Sequence, residues 1–206
     1  MFTRIFSALS IIVFGAGLAA CGVTHRVPRF GTGGAYQEGK DEFLKGRAGD
    51  MDVAIRALEQ VVVKDPSYKD SLTLLGRAYY AKGRYQDAFA ILQRAVAVNK
   101  EDEVAWLALA LTQLRLGQDG KGLETLKGGI TLMSKVSVPG YKDYPAWDQR
   151  GTVRTAIRQT AFLATKENEK PDELIKAGET LLARLDAEER YQKIVTMQQR
   201  RRDYSP

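Results

Sequence analysis

Apolar and small residues return every 34 positions through the middle of this chain of 206 residues. Gly49, Gly83 and Gly117 share one position of the repeat, and Ala54, Ala88 and Gly122 a second. Ile55, Phe89 and Leu123 share a third, and Leu58, Leu92 and Leu126 a fourth. Upstream of the glycines, Leu75 aligns with Leu109 and Gly76 with Ala110. Self-similarity at a fixed period of this length marks an architecture in which each copy is one supersecondary unit. The apolar spacing predicts two antiparallel helices per copy, with the glycine stopping the first in a left-handed cap. The small residue at Ala54 or Ala88 lets the two helices approach. Leu58 and Leu92 lie one turn further along the same face. Such a pair cannot bury its apolar face alone, so copies stack, and about three are needed. The copies span 35–68, 69–102 and 103–136.

The third copy differs from the others. Residues 103–116, EVAWLALALTQLRL, are apolar almost all round. Trp106, Leu109 and Ala110 face the repeat core, while Leu107, Leu111 and Leu114 form a second stripe. A helix apolar on every side is normally buried, so something covers that stripe. The chain's own C-terminal region is the simplest candidate. A partner protein or a second copy of the chain is the alternative. The remainder, 137–206, begins with the helix-breaking run SVPGYKDYPAWD, in which Tyr141, Tyr144 and Trp147 crowd together. These aromatics either plug the end of the stack or serve as secondary contacts for a partner. A helix follows from Thr152 to Lys166, with Val153, Ala156, Ile157, Thr160, Ala161 and Ala164 on one face. Another starts at Pro171 and carries Leu174, Ala177, Gly178, Leu181, Leu182 and Leu185. The two are expected to pair as a degenerate fourth unit capping the third copy. From Ala187 onward the helix turns polar, with Ile194 and Met197 among its few apolar residues, and it runs into Arg200-Arg201-Arg202. That triplet reads as a solvated end or as a contact for an acidic surface or lipid.

The middle copy reads Leu72, Leu75, Gly76 and Tyr79, then Gly83, Arg84 and Tyr85, then Ala88, Leu92 and Ala95. This pattern resembles the tetratricopeptide repeat. The first copy departs from it at Asp41, Glu42 and Lys45, although its second helix fits and ends at Asp65-Pro66. The third keeps Trp106 and Leu109 and departs at Gln113, Asp119, Gly122 and Gly129. The resemblance implies an all-α solenoid of three helical hairpins with a C-terminal hairpin as cap. It also implies a concave groove, lined by the first helix of each copy, that holds peptides or extended segments of protein partners. Mapped by the repeat, that groove carries Tyr36, Phe43 and Arg47, then Thr73, Arg77 and Tyr80, then Leu107, Leu111, Leu114 and Arg115. The arginines suit carboxylates and the tyrosines suit apolar side chains. Ordinary, partly exposed helix residues would look the same.

At the N-terminus, Arg4 precedes an apolar run from Ile5 to Ala20 of 16 residues, short for a membrane-spanning helix. A basic start, an apolar stretch and small residues describe an export signal, here 1–20. Leu18-Ala19-Ala20-Cys21 resembles the lipobox of bacterial lipoproteins. The resemblance implies cleavage before Cys21 and lipid on its thiol, which anchors the chain to a membrane. Gly22, where aspartate often marks inner-membrane retention in that family, points to the outer membrane, facing the periplasm. Residues 21–34 follow as lipidated cysteine and flexible tether, with His25, Arg26 and Arg29 near lipid phosphates or simply solvated.

Composition narrows the chemistry. One cysteine and one histidine leave no ordinary zinc site, and His25 on a tether makes a poor catalytic base. No catalytic constellation, cofactor motif or metal site is apparent. A net charge of +6 permits acidic partners or lipid, and export argues against nucleic acid. The reading is a membrane-anchored, non-enzymatic module that binds protein. It resembles the bacterial repeat lipoproteins that act as pilotins for pilus secretins or as accessories of β-barrel assembly. The alternatives are a permanent, self-associating subunit using the Leu107/Leu111/Leu114 stripe, and an adaptor for a periplasmic hydrolase.

Overall fold

The computed structural model describes residues 31–137, 140–166 and 170–203. The export signal and Cys21 lie outside them. Eight α-helices follow in order among the described residues: α1 Gly31–Leu44, α2 Met51–Lys64, α3 Ser71–Ala81, α4 Tyr85–Val98, α5 Glu103–Arg115, α6 Asp119–Leu132, α7 Thr152–Thr165 and α8 Pro171–Asp203. Helices α1 to α6 form three antiparallel pairs stacked side by side. Helices α7 and α8 pair in turn and close the last of them.

Helix starts are set by local caps, and the predicted glycine stops hold in the second and third copies. Asp50 caps α2 by accepting from the amides of Asp52 and Val53, and Asp102 caps α5 by accepting from the Ala105 amide. At the end of α3, Gly83 takes φ +73°. There the Arg84 amide donates to the Tyr79 carbonyl and the Gly83 amide to that of Tyr80. Gly117 ends α5 in the same way, with φ +72° and with Gln118 and Gly117 donating to Gln113 and Leu114. Both are Schellman caps, which need a left-handed residue.

The first copy corrects the expected register. Gly49 has φ −95° and no left-handed role. A Cβ there would stand 2.1 Å from the Glu42 carbonyl oxygen, so the glycine serves close approach. The left-handed residue is Gly46, at φ +59°, opening a 3₁₀ turn over Gly46–Ala48. Gly76 packs on Leu92, and Gly39, not residue 42, makes the matching contact with Leu58. Three extra residues in the turn therefore displace α1 by almost one helical turn against the period of the other copies. Helix α1 begins at Gly31, inside the stretch expected to be tether.

Two apolar clusters share α5. Ala105, Ala108 and Leu109 join the cluster of α1 to α4, whereas Val104, Leu107, Ala110, Leu111 and Leu114 join that of α6 to α8. This double burial explains a helix without a polar face. Trp147 anchors the second cluster and donates its indole N–H to the Val136 carbonyl at 2.9 Å. Tyr144 stacks on Trp147, and the Tyr141 hydroxyl donates to the Glu103 carboxylate. The loop aromatics thus plug the end of the stack.

Candidate interaction surface

The corrected register aligns three rows on the concave side. Tyr36, Thr73 and Leu107 form one; Lys40, Arg77 and Leu111 the next; Phe43, Tyr80 and Leu114 the third. The rows are polar or aromatic over α1 and α3 and aliphatic over α5. Asp70 and Asp102, each immediately before the next inner helix, accept hydrogen bonds from the Tyr36 and Thr73 hydroxyls. Arg47, expected in the groove, sits exposed on the 3₁₀ turn, because the insertion carries it off the inner face. Lys40 takes the place the 34-residue period would deny it.

Helix α8 lies across this surface. Its 33 residues make a rod of about 50 Å, long enough to cross all three repeats. Its first half meets α5 through Leu181, Leu182 and Gly178, where an added Cβ would stand 2.5 Å from Leu111 Cδ2. Leu107, Leu111 and Leu114 are 1%, 0% and 4% exposed. The stripe is closed within the chain, so the expectation that a second copy uses it loses its surface.

Beyond α5 the contacts become polar. Glu179 accepts from the Tyr80 hydroxyl at 2.5 Å and from Arg115 Nη2 at 2.7 Å. Arg77 Nη2 donates to both carboxylate oxygens of Asp186, at 2.8 and 2.7 Å, while its guanidinium lies 4.8 Å from the Phe43 ring centre. Glu189 pairs with Lys40 at 2.9 Å and with Lys142 at 3.2 Å. Arg190 donates to the Leu44 carbonyl. Burial opposes ionisation of Glu189, but the ammonium groups of Lys142 and Lys40 outweigh it and hold its pKa at about 2. Burial, reinforced by the bond to Glu179, pushes the Tyr80 hydroxyl well above its usual range. Glu179, Leu182, Asp186 and Glu189 recur at the spacing of one helical face. That spacing puts them on one face, but it does not tell which surface the face meets, and sequence reasoning missed the carboxylates.

Two clefts flank α8. One of about 400 Å³ is lined by Lys69, Asp70, Thr73, Asp102 and Lys142. The other, of about 370 Å³, is lined by Phe43, Arg77, Tyr80, Tyr85 and Ala108. Tyr36, Phe43, Thr73, Arg77, Tyr80, Leu107, Leu111, Leu114 and Arg115 thus share one surface. Of the loop aromatics, Tyr141 lines the first of these clefts beside Lys142, whereas Trp147 is buried in the second cluster. Among the described residues no cluster of three metal-ligating side chains occurs.

The arrangement is a helical-hairpin solenoid whose inner face holds a helix. Residues 44–103 match the tetratricopeptide repeat family, and the fold is the one the family defines. Among solved structures the chain is similar to the TPR2B domain of yeast Sti1, in a structure described as the TPR2B-domain:pHsp70 complex. The identity is 20%, the TM-score 0.51, and the match covers 66% of this chain and 98% of that one. No curated protein matches. The repeats matched over 44–103 and the shared fold make the chain a tetratricopeptide-type helical solenoid.

Proposed function

We propose that this chain is a lipid-anchored interaction module of a bacterial cell envelope, holding a protein partner while an envelope complex assembles. Pilus, secretion and outer-membrane-protein assembly are the kinds of complex meant. The carrying observation is the concave face, where Arg77, Lys40, Tyr80 and Arg115 already grip a helix through its carboxylates. A partner segment with acidic groups at helical spacing meets the same cations, either in the clefts beside α8 or in its place. The lipobox at Leu18–Cys21 supports the anchor, and Gly22 supports the periplasmic face of the outer membrane. The module binds and positions; it does not catalyse.

Photo-crosslinking in the cells of origin tests this. A probe at Ala81, on the cleft beside Tyr80, is expected to capture a protein that a probe at Gln93, on the outer face, does not. Equal capture at both positions, or none at Ala81, overturns the groove mechanism. The anchor has its own test: Cys21→Ser, exported by a substituted leader, is expected to leave the membrane fraction in a high-salt wash that the lipidated protein withstands.

A further inference from the structure

Beyond Arg190, the last turns of α8 serve none of the contacts above. Tyr191, Ile194 and Met197 recur at three-residue spacing and are 45%, 55% and 62% exposed. Leu185, Glu188 and Gln192 turn the opposite side of the helix into the body, where each is buried. The apolar stripe therefore points outward. Cations flank it: Arg190, Lys193, Arg200, Arg201 and Arg202, against Asp203 as the one acid of residues 190–203. Arg150 adds another, with its guanidinium 4.7 Å from the Tyr191 ring centre. On the α1 side, Ile194 and Met197 wall a cleft of about 510 Å³ with Leu44, and Glu38 and Asp41 stand on its far wall. Arg190 and Lys193 line the same cleft, so the basic character of the outer side of α8 comes from Arg150 and the Arg200–Arg202 run.

We propose that this face is a membrane-docking surface, with Tyr191, Ile194 and Met197 entering the interface and the flanking arginines meeting anionic phospholipid headgroups. An apolar centre between basic flanks, on a helix of low overall hydrophobicity, is the composition that lies in a lipid interface and does not cross it. No helix among the described residues is long and apolar enough to span a membrane. The inference rests on the envelope reading given above. On that reading nine residues separate Cys21 from Gly31, so the body stays within about 35 Å of the lipid surface. One lipid signal plus a basic patch then acts as a two-point attachment, which fixes how the solenoid faces the membrane.

Among the described residues both apolar clusters lie between Ala35 and Leu185, so the chain from Gly31 onward keeps their core contacts and is expected to fold without the lipidated segment. That fragment is to be sedimented with vesicles of phosphatidylcholine alone and of phosphatidylcholine with phosphatidylglycerol. It is expected to pellet with the anionic vesicles only and to be released by high salt. Charge reversal of Arg200, Arg201 and Arg202 to Glu, and separately Ile194→Ser with Met197→Ser, should each weaken binding at least tenfold without changing the helical circular dichroism. Arg56→Glu, on an exposed outer position, should leave it unchanged. Failure to pellet with anionic vesicles overturns the proposal and returns the face to an acidic protein. Binding insensitive to either variant overturns it as well. The fragment lacks Cys21, so its result is independent of whether that residue is lipidated.

Discussion

Helices α3 and α5 occupy equivalent places in adjacent repeats, yet their inner faces differ at every matched position. Thr73, Arg77 and Tyr80 on α3 become Leu107, Leu111 and Leu114 on α5. Helix α8 answers both. It presents Gly178, Leu181 and Leu182 to the leucines, and Glu179, Asp186 and Glu189 to the cations and the tyrosine. The backbone scaffold is the same, so the difference is chemical. Over α5 the contact is dry and holds by burial, roughly 2–3 kcal/mol for each fully buried leucine. Over α3 and α1 it holds by hydrogen-bonded charges, whose net worth is smaller because each was well solvated beforehand. One end of α8 belongs to the core, and the other rests on the groove as a ligand would.

That contrast can be broken at several points. Leu111→Ala should cost most, about 3 kcal/mol, because it opens a cavity at the α5–α8 contact. Thermal unfolding of the whole domain would register it, and a loss confined to α8 would contradict the shared core. Arg77→Ala should cost about 2 kcal/mol by leaving Asp186 half-buried without its partner. Its signature is local: faster hydrogen exchange over 187–203, with the α1–α6 amides little changed. The double variant with Asp186→Ala should recover part of that loss.

Acid should act on the polar end alone. The Glu189 carboxyl lies lower in the folded state than its ordinary 4.5, at about 2, so its contribution is complete above pH 4.5 and fades as pH falls toward 2. Exchange over the distal half of α8 should therefore quicken in that window before the leucine contact fails. The smallest effects concern the displaced first repeat. Gly46→Ala should cost about 1 kcal/mol for its left-handed backbone. Arg47→Ala, exposed on the turn, should stay within about 0.5 kcal/mol and leave partner binding intact. An Arg47 variant that abolished binding would restore the 34-residue register for α1.

Much of this was legible in the sequence, for identifiable reasons. The stops at Gly83 and Gly117 and the contact at Leu92 are set within single helices or neighbouring ones, so a short window carries them. The all-round apolar α5 announced burial on two sides, and the C-terminal leucines supplied the simplest cover. The three-residue insertion escaped because Gly49 holds the repeat position for a different reason, close approach to Glu42, while Gly46 does the capping. The path of α8 escaped too. The Arg77–Asp186 pair joins residues 109 apart, and no local periodicity encodes such a meeting. Lys40 was missed with it, since its place on the inner face depends on the shifted register.

The same separations set an order of events. Each repeat closes on itself through contacts between neighbouring helices, which can form as soon as a pair of helices exists. The bond from Arg190 to Leu44 spans 146 residues and waits for nearly the whole chain. During synthesis, which runs from the N-terminus, the solenoid is complete while its inner face is still bare. The interval lasts until the final helix arrives, and it is the time when a waiting partner meets those residues without a rival.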